Sequence, residues 1–166
     1  AGYFVFWLYQ PLLEQSGVPV FYFGFIHTFL VGVQILIASN FERLEKVFGS
    51  AKVLLRFSAL FTSVGFFLVA IWPNVFTIIL FIILAGGFGI TRMELMWAYM
   101  HKFIPSEQRA TVSSSISMFR RFALMPMNIA VGFIAVQSLQ VALLFIGILP
   151  LLVFLFSPIE QEMLED

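Results

Sequence analysis

Long runs of apolar residues, separated by short polar connections, dominate the pattern along this chain. A helix needs about 20 residues to cross the hydrocarbon core of a bilayer, which is roughly 30 Å thick. The runs are too long and too evenly apolar for barrel strands of about 10 alternating residues, so helices are predicted. Five runs reach or approach the required length, at residues 20–39, 53–72, 75–99, 111–136 and 139–156, and residues 1–9 resemble the end of a sixth helix.

Composition strengthens the prediction of a membrane protein. Hydrophobic residues make up 61% of the 166 residues, charged residues make up 11%, and the mean hydropathy is +1.01. Soluble domains are roughly 45–50% apolar and about 25% charged, and a soluble fold of this size lacks the interior to bury so much apolar surface. The predicted fold class is all-α: a polytopic membrane helix bundle with five full transmembrane helices and a truncated first one.

The net charge, the cysteine content and the first residues of the chain exclude some classes of protein. The net charge is zero, which gives no basic field for nucleic acid, and the absence of cysteine excludes disulfides. The chain begins AGYFVFWLYQP, without Met, a basic segment or a cleavage site, so these residues are not a signal peptide. Because the chain starts as if partway through a helix, we expect a fragment of a longer protein.

Basic residues occur in every second connection. One basic connection spans residues 40–52 and the other spans 100–110, whereas the turns at 73–74 and 137–138 carry no charge. By the positive-inside rule the basic end of the bundle is cytoplasmic, which also places the C-terminus, with its acidic tail, in the cytoplasm. In the second basic connection, Pro105 is expected to end one helix and Ser106 to cap the next, with Glu107 in its first turn.

Three motifs carry a resemblance to a known family. IPSEQRATVSSSISMFRRF resembles the loop between the tenth and eleventh helices of major facilitator superfamily transporters. WLYQPLLEQSGVPVFYFGF resembles the end of the seventh helix and the start of the eighth in prokaryotic members. SNFERLEKVFGSAKVL resembles a divergent copy of the cytoplasmic loop that joins paired helices, but its charges are spread differently, so its contribution to gating stays open.

The resemblance covers essentially the whole chain and implies its architecture. Residues 1–166 would be helices seven to twelve of a twelve-helix transporter, with the N-terminal six-helix half absent. Such transporters work by alternating access, the two halves rocking around a central site. The resemblance implies that the first, second, fourth and fifth helices of the half face the cavity, and that the protein lies in the inner membrane of a prokaryote.

Charged residues inside predicted spans are costly and are candidates for function. Arg92 and Glu94 lie about 12 and 9 Å inside one helix, and Arg120 and Arg121 lie about 13–15 Å inside another, by the rise of 1.5 Å per residue. We therefore predict that Glu94 pairs with Arg120 or Arg121, and we assign all four residues to coupling or gating. Snorkelling arginines, a watery vestibule and direct substrate contact remain alternatives.

Uncharged polar residues supply the candidates for substrate binding or cavity lining: Gln10, His27, Gln34 and Asn128. Asn128 shares one face of its helix with three other polar residues, which indicates either a cavity or a hydrogen-bonded helix seam. His27 and Gln34 are seven residues apart on another helix, beside a row of small residues at 24, 28 and 32. His27 could carry a proton or could hydrogen-bond a neighbouring residue.

The sequence favours transport over catalysis. Its two histidines and single aspartate form no metal-ligand cluster and no catalytic triad. We therefore expect that the protein binds no metal or other cofactor and that it is not an enzyme. The predicted function is secondary active transport of an unidentified small molecule, with protons as the expected coupling ion. The expected partners are the bilayer, the other half of the transporter and the substrate. The alternative is a membrane protein that uses the same bundle for assembly or sensing.

Overall fold

The computed structural model describes residues 1–156, except the side chain of Lys102, and this part of the chain is helical without strands. The α-helices are numbered in chain order. They are α1 (Val5–Gln15), α2 (Phe23–Ser39), α3 (Phe41–Phe48), α4 (Ala51–Ile71), α5 (Val75–Phe81), α6 (Gly89–Lys102), α7 (Arg109–Gln137) and α8 (Leu139–Phe156). A 3₁₀ turn precedes each of the first two, at Gly2–Phe4 before α1 and at Val20–Tyr22 before α2, and a π-helical segment, Ile82–Phe88, joins α5 to α6.

Five helical stretches are long and apolar enough to cross a membrane, which confirms that prediction. They are Val20–Ser39, Ala51–Ile71, Val75–His101, Arg109–Gln137 and Leu139–Phe156. The first helix was predicted too short, because it continues through Pro11 to Gln15. Proline at this place removes one backbone hydrogen bond without ending the helix. Gly17, with φ 72°, then allows the chain to turn into α2.

The centre of the bundle is the seam between α4 and α8. Gly147 of α8 faces Phe66 and Phe67 of α4, and its carbonyl accepts a 2.8 Å hydrogen bond from Ser63 Oγ. Phe66 is fully buried and packs edge-to-face on Phe81, with ring centroids 4.9 Å apart. Without a hydrophobic driving force between helices in lipid, such close packing and interhelical hydrogen bonds hold spans together.

Both basic connections lie at one end of the bundle. Arg56, near the start of α4, donates through Nε and Nη2 to the carbonyl of Phe154, near the end of α8, at 3.4 and 3.1 Å. A small crevice at the same level is lined by Phe41 and Leu44 of α3 together with Leu95 of α6. The alternation predicted from the sequence therefore brings these connections together, and the predicted cytoplasmic tail, residues 157–166, lies outside the described residues.

Two local predictions at this end were wrong. The connection 40–52 is not a plain loop, because it contains α3, which is anchored by buried Phe41. Ser106 does not cap α7: that helix begins at Arg109, its N-cap is Gln108, and no side chain caps it. Ser106 Oγ instead donates to Glu107 Oε1 at 3.1 Å, so both residues belong to the exposed connection.

Two of the spanning helices have few buried residues in the described chain. Only 6% of the most apolar 18-residue window is buried in both Val20–Ser39 and Arg109–Gln137, compared with 56% in Ala51–Ile71. On α7 the single fully buried residue is Val131, and the residues packed against the core lie beside it in the C-terminal half. The half of α7 that carries Arg120 and Arg121 therefore projects past the core.

Candidate functional site: an arginine-lined cavity

A cavity of about 770 Å³ lies between the first turn of the chain, α6, the projecting half of α7, and the facing sides of α4 and α8. This volume falls within the range of small-molecule sites. Four predicted site residues line it: Arg92, Arg120, Arg121 and Asn128. The structure thus brings together the polar residues of two separate spans around a single space.

A close helix crossing forms the floor of the cavity. A Cβ placed on Gly2 would lie 2.8 Å from the carbonyl oxygen of Gly89, and one placed on Gly89 would lie 2.7 Å from Thr62 Oγ1. Only glycine fits at either position without a shift. Gly89 follows directly after the π-helical segment, a kind of distortion that is frequent at functional sites. One turn further along α6, Arg92 reaches the cavity wall.

Arg92 is the most enclosed of the three arginines. It is half-buried, and its Nε is buried without a hydrogen-bond partner among the described residues. A guanidinium group has five N–H donors and no acceptor, and a buried donor without a partner costs the full loss of its hydration. Arg92 thus brings to the cavity lining a guanidinium that the described chain does not fully satisfy.

The predicted ion pair between Glu94 and Arg120 or Arg121 is not formed among the described residues. The guanidinium of Arg120 instead contacts Met93 Sδ at 3.8 Å and lies over the ring of Trp97, 5.7 Å from its centroid. Glu94 is exposed and is absent from the cavity lining. Residues two apart on a helix point to different faces, so the geometry that brings Arg92 to the cavity turns Glu94 away from it.

The rest of the lining is largely apolar and adaptable. Met93 and Met96 of α6 and Met125 of α7 line it, with Trp7 on the side of the first helix. Methionine side chains are flexible and polarizable, so they adjust to irregular partners. No aspartate or glutamate lines the cavity among the described residues. The arrangement therefore combines three cationic groups with an apolar wall.

Three other predicted site residues lie elsewhere. Gln10 Nε2 donates to Tyr9 Oη at 3.1 Å, and the same hydroxyl lies 3.2 Å from His27 Nδ1, which links α1 to α2. Gln34 is half-buried and its Nε2 has no partner among the described residues. None of the three lines the arginine-lined cavity; Gln10 and His27 meet at the Tyr9 hydroxyl, and Gln34 belongs to neither group.

Sequence reasoning missed the contributions of α4 and α8. Thr62 of α4 and Pro150 of α8 line the cavity, although the resemblance did not imply that their helices face it, and α2 does not contribute. A Cβ added to Gly24 or Gly32 of α2 would have nothing within 4 Å, so within the described chain that row packs against no helix. No sequence signal separates a small-residue row that is packed in the same chain from one that is not.

The fold and composition define the class of this protein as a polytopic α-helical integral membrane protein. Searches against family models, curated proteins and solved structures find no match to the chain. Within residues 1–156 no group of three or more His, Cys, Asp or Glu side chains is placed to hold a metal ion.

Proposed function

We propose that this chain is the C-terminal half of a secondary active transporter of the major facilitator type. The sequence resemblance supports the proposal through the order and spacing of three motifs and six helical segments. The transported molecule would be a small solute carried by alternating access, and protons are the coupling ion we propose. The other half would supply the second wall of the transport pathway.

The observation that carries the proposal is a pair of spans with few buried residues, one of which, α7, lines a polar cavity. The resemblance implies that the second and fifth helices of a half face the central pathway, and these correspond to α2 and α7. In each of them only 6% of the apolar window is buried in the described chain, and α7 presents Arg121 and Asn128 to the cavity. Polar side chains in a spanning helix are expected to face a bundle interior or a water-filled space rather than lipid.

Transport is tested on the full-length protein reconstituted in proteoliposomes. Under an imposed pH gradient, a secondary transporter is expected to move at least one solute of a broad panel of sugars, amines, carboxylates and nucleosides. A protonophore should abolish accumulation of that solute. Absence of any flux above that of protein-free liposomes would favour the assembly or sensing alternative.

The proposed topology is tested with single cysteines in a cysteine-free background, which residues 1–166 already provide for this half. Lys46→Cys and Gln108→Cys are both at positions of the basic end, whereas Asn74→Cys lies at an exposed turn of the opposite end. A membrane-impermeant maleimide added outside intact cells should label only Asn74→Cys. Labelling of either basic-end cysteine from outside would overturn the proposal that this end is cytoplasmic.

A further inference from the structure

The charge of the cavity lining is one-sided. The whole chain has a net charge of zero, yet the arginine-lined cavity contains three guanidinium groups and, among the described residues, no carboxylate. Arg92 comes from α6, and Arg120 and Arg121 come from α7. Like charges gathered around one space repel each other.

Contacts with the protein only partly compensate these cations. Arg120 has a weak sulfur contact and a cation–π contact with Trp97. Arg92 has its Nε buried and unused, and Arg121 makes no ion pair with the described residues. A planar guanidinium matches a carboxylate or a similar oxyanion with two parallel hydrogen bonds. The missing partner of this site therefore has the chemistry of an anion.

The apolar part of the lining defines the rest of the ligand. Three methionines, Leu124 and Trp7 surround the arginines, and Trp7 is 65% exposed. A small hydrated inorganic ion would leave this surface in contact with water, whereas an apolar body would cover it.

We infer that the arginine-lined cavity binds an amphipathic organic anion, with its carboxylate at Arg92 and Arg121 and its apolar body against the methionines. The inference rests on the proposed transport function and specifies its substrate class. Asn128, on the same face of α7 and also in the lining, supplies a neutral donor and acceptor for a further polar group on the ligand.

The test is equilibrium binding to the full-length protein in nanodiscs. The carboxylate probes are benzoate, decanoate and 2-naphthoate. Two controls share the ring system of 2-naphthoate: 2-naphthamide is neutral and 2-naphthylmethylamine is cationic. At least one carboxylate should bind at least tenfold more tightly than the amide and the amine. Arg92→Gln and Arg121→Gln should each weaken binding of that carboxylate roughly ten- to hundredfold, since each removes a charge-assisted hydrogen bond. Arg43→Gln, at an exposed arginine of α3 outside the cavity, should not change it.

A second measurement needs no variant and so does not depend on their folding. Phenylglyoxal modifies accessible arginines, and peptide mapping identifies which ones react. The bound carboxylate should protect Arg121 of the wild-type protein, and 2-naphthamide should not. The inference is overturned if none of the three carboxylates binds, if the amide or the amine binds as well, or if Arg121 is equally reactive with and without the carboxylate.

Binding and flux separate this inference from the proposed function. Arginine-dependent carboxylate binding without any transport would leave the anion site standing and remove the transporter. Transport of neutral or cationic solutes, without carboxylate binding, would leave the transporter standing and remove the anion site.

Discussion

Replacing Gly147 by alanine tests the packing of the central seam. A Cβ at this position would lie 2.9 Å from Phe67 Cε1 and 3.0 Å from Phe66 Cβ. Ordinary carbon–carbon contacts are about 3.5–4.0 Å, so α8 would have to move away from α4 by several tenths of an ångström. Phe66 cannot yield, because it is fully buried and its ring is held edge-on against Phe81.

The expected cost combines three effects. Overpacking of one methyl group costs about 1–3 kcal/mol. The shift also stretches the hydrogen bond from Ser63 to the Gly147 carbonyl, and interhelical hydrogen bonds in membranes average about 0.6 kcal/mol. Replacing glycine by alanine within a helix stabilises that helix by about 1 kcal/mol, which offsets part of this cost. The net destabilisation of Gly147→Ala is therefore roughly 0.5–2.5 kcal/mol, and Gly147→Val should cost more.

The assay is reversible unfolding of the purified protein in mixed detergent micelles with increasing dodecyl sulfate, followed by circular dichroism. The matched control is Ile148→Ala on the neighbouring position of α8, where the side chain is 46% exposed and the change should stay within about 0.5 kcal/mol. If Gly147→Ala were as stable as the wild type or more so, while Ile148→Ala behaved as expected, the close packing of α4 on α8 would be refuted.

Three further predictions concern two helix ends and the connection before α7. Arg56→Lys should loosen the end of α8, because an ammonium group cannot reproduce the two hydrogen bonds that Arg56 donates to the Phe154 carbonyl. The expected result is faster amide hydrogen exchange in residues 151–156, and unchanged exchange would contradict the prediction. Asn74→Ala removes the capping box of α5 and should cost about 0.5–2 kcal/mol in the same unfolding assay. A backbone hydrogen bond and the hydroxyl of Ser106 lower the pKa of Glu107, so any stability from this carboxylate is present above its unfolded pKa and is lost as pH falls through the lower folded pKa. Ser106→Ala should raise that pKa in a carboxyl NMR titration, and an unchanged pKa would contradict the contact.

The spans could be predicted from the sequence because lipid imposes a simple rule on every residue of a crossing helix. The span predicted at 139–156 begins at the first residue of α8, and the one predicted at 111–136 differs from α7 by two residues at its start and one at its end. The apolar runs and the short turns between them contain that information directly. The resemblance to a transporter half remains a prediction.

Features that depend on contacts between distant helices could not be predicted in this way. The π-helical segment 82–88 is as apolar as α5, which precedes it. Within this segment, Gly86 and Gly87 pack closely against α1 and α2. The charge pair proposed for Glu94 used depth in the membrane, but depth does not specify which way a side chain points around the helix. The union of three arginines in one cavity likewise depends on how α7 lies beside α6.

Polar residues in this bundle are distributed according to how they can satisfy their hydrogen bonds. The hydroxyls of Ser58 and Thr62 donate to carbonyls of their own helix, and Ser63 donates to α8, so all three can be buried. A helix carbonyl satisfies an arginine only in part, because the guanidinium has five donors and the Phe154 carbonyl, for example, accepts from two atoms of Arg56. Arg120 and Arg121 accordingly lie on the half of α7 that the core does not cover. The same requirement that excludes these cations from the seam makes them available to a partner, and this is the physical reason to look for function on that side of the bundle.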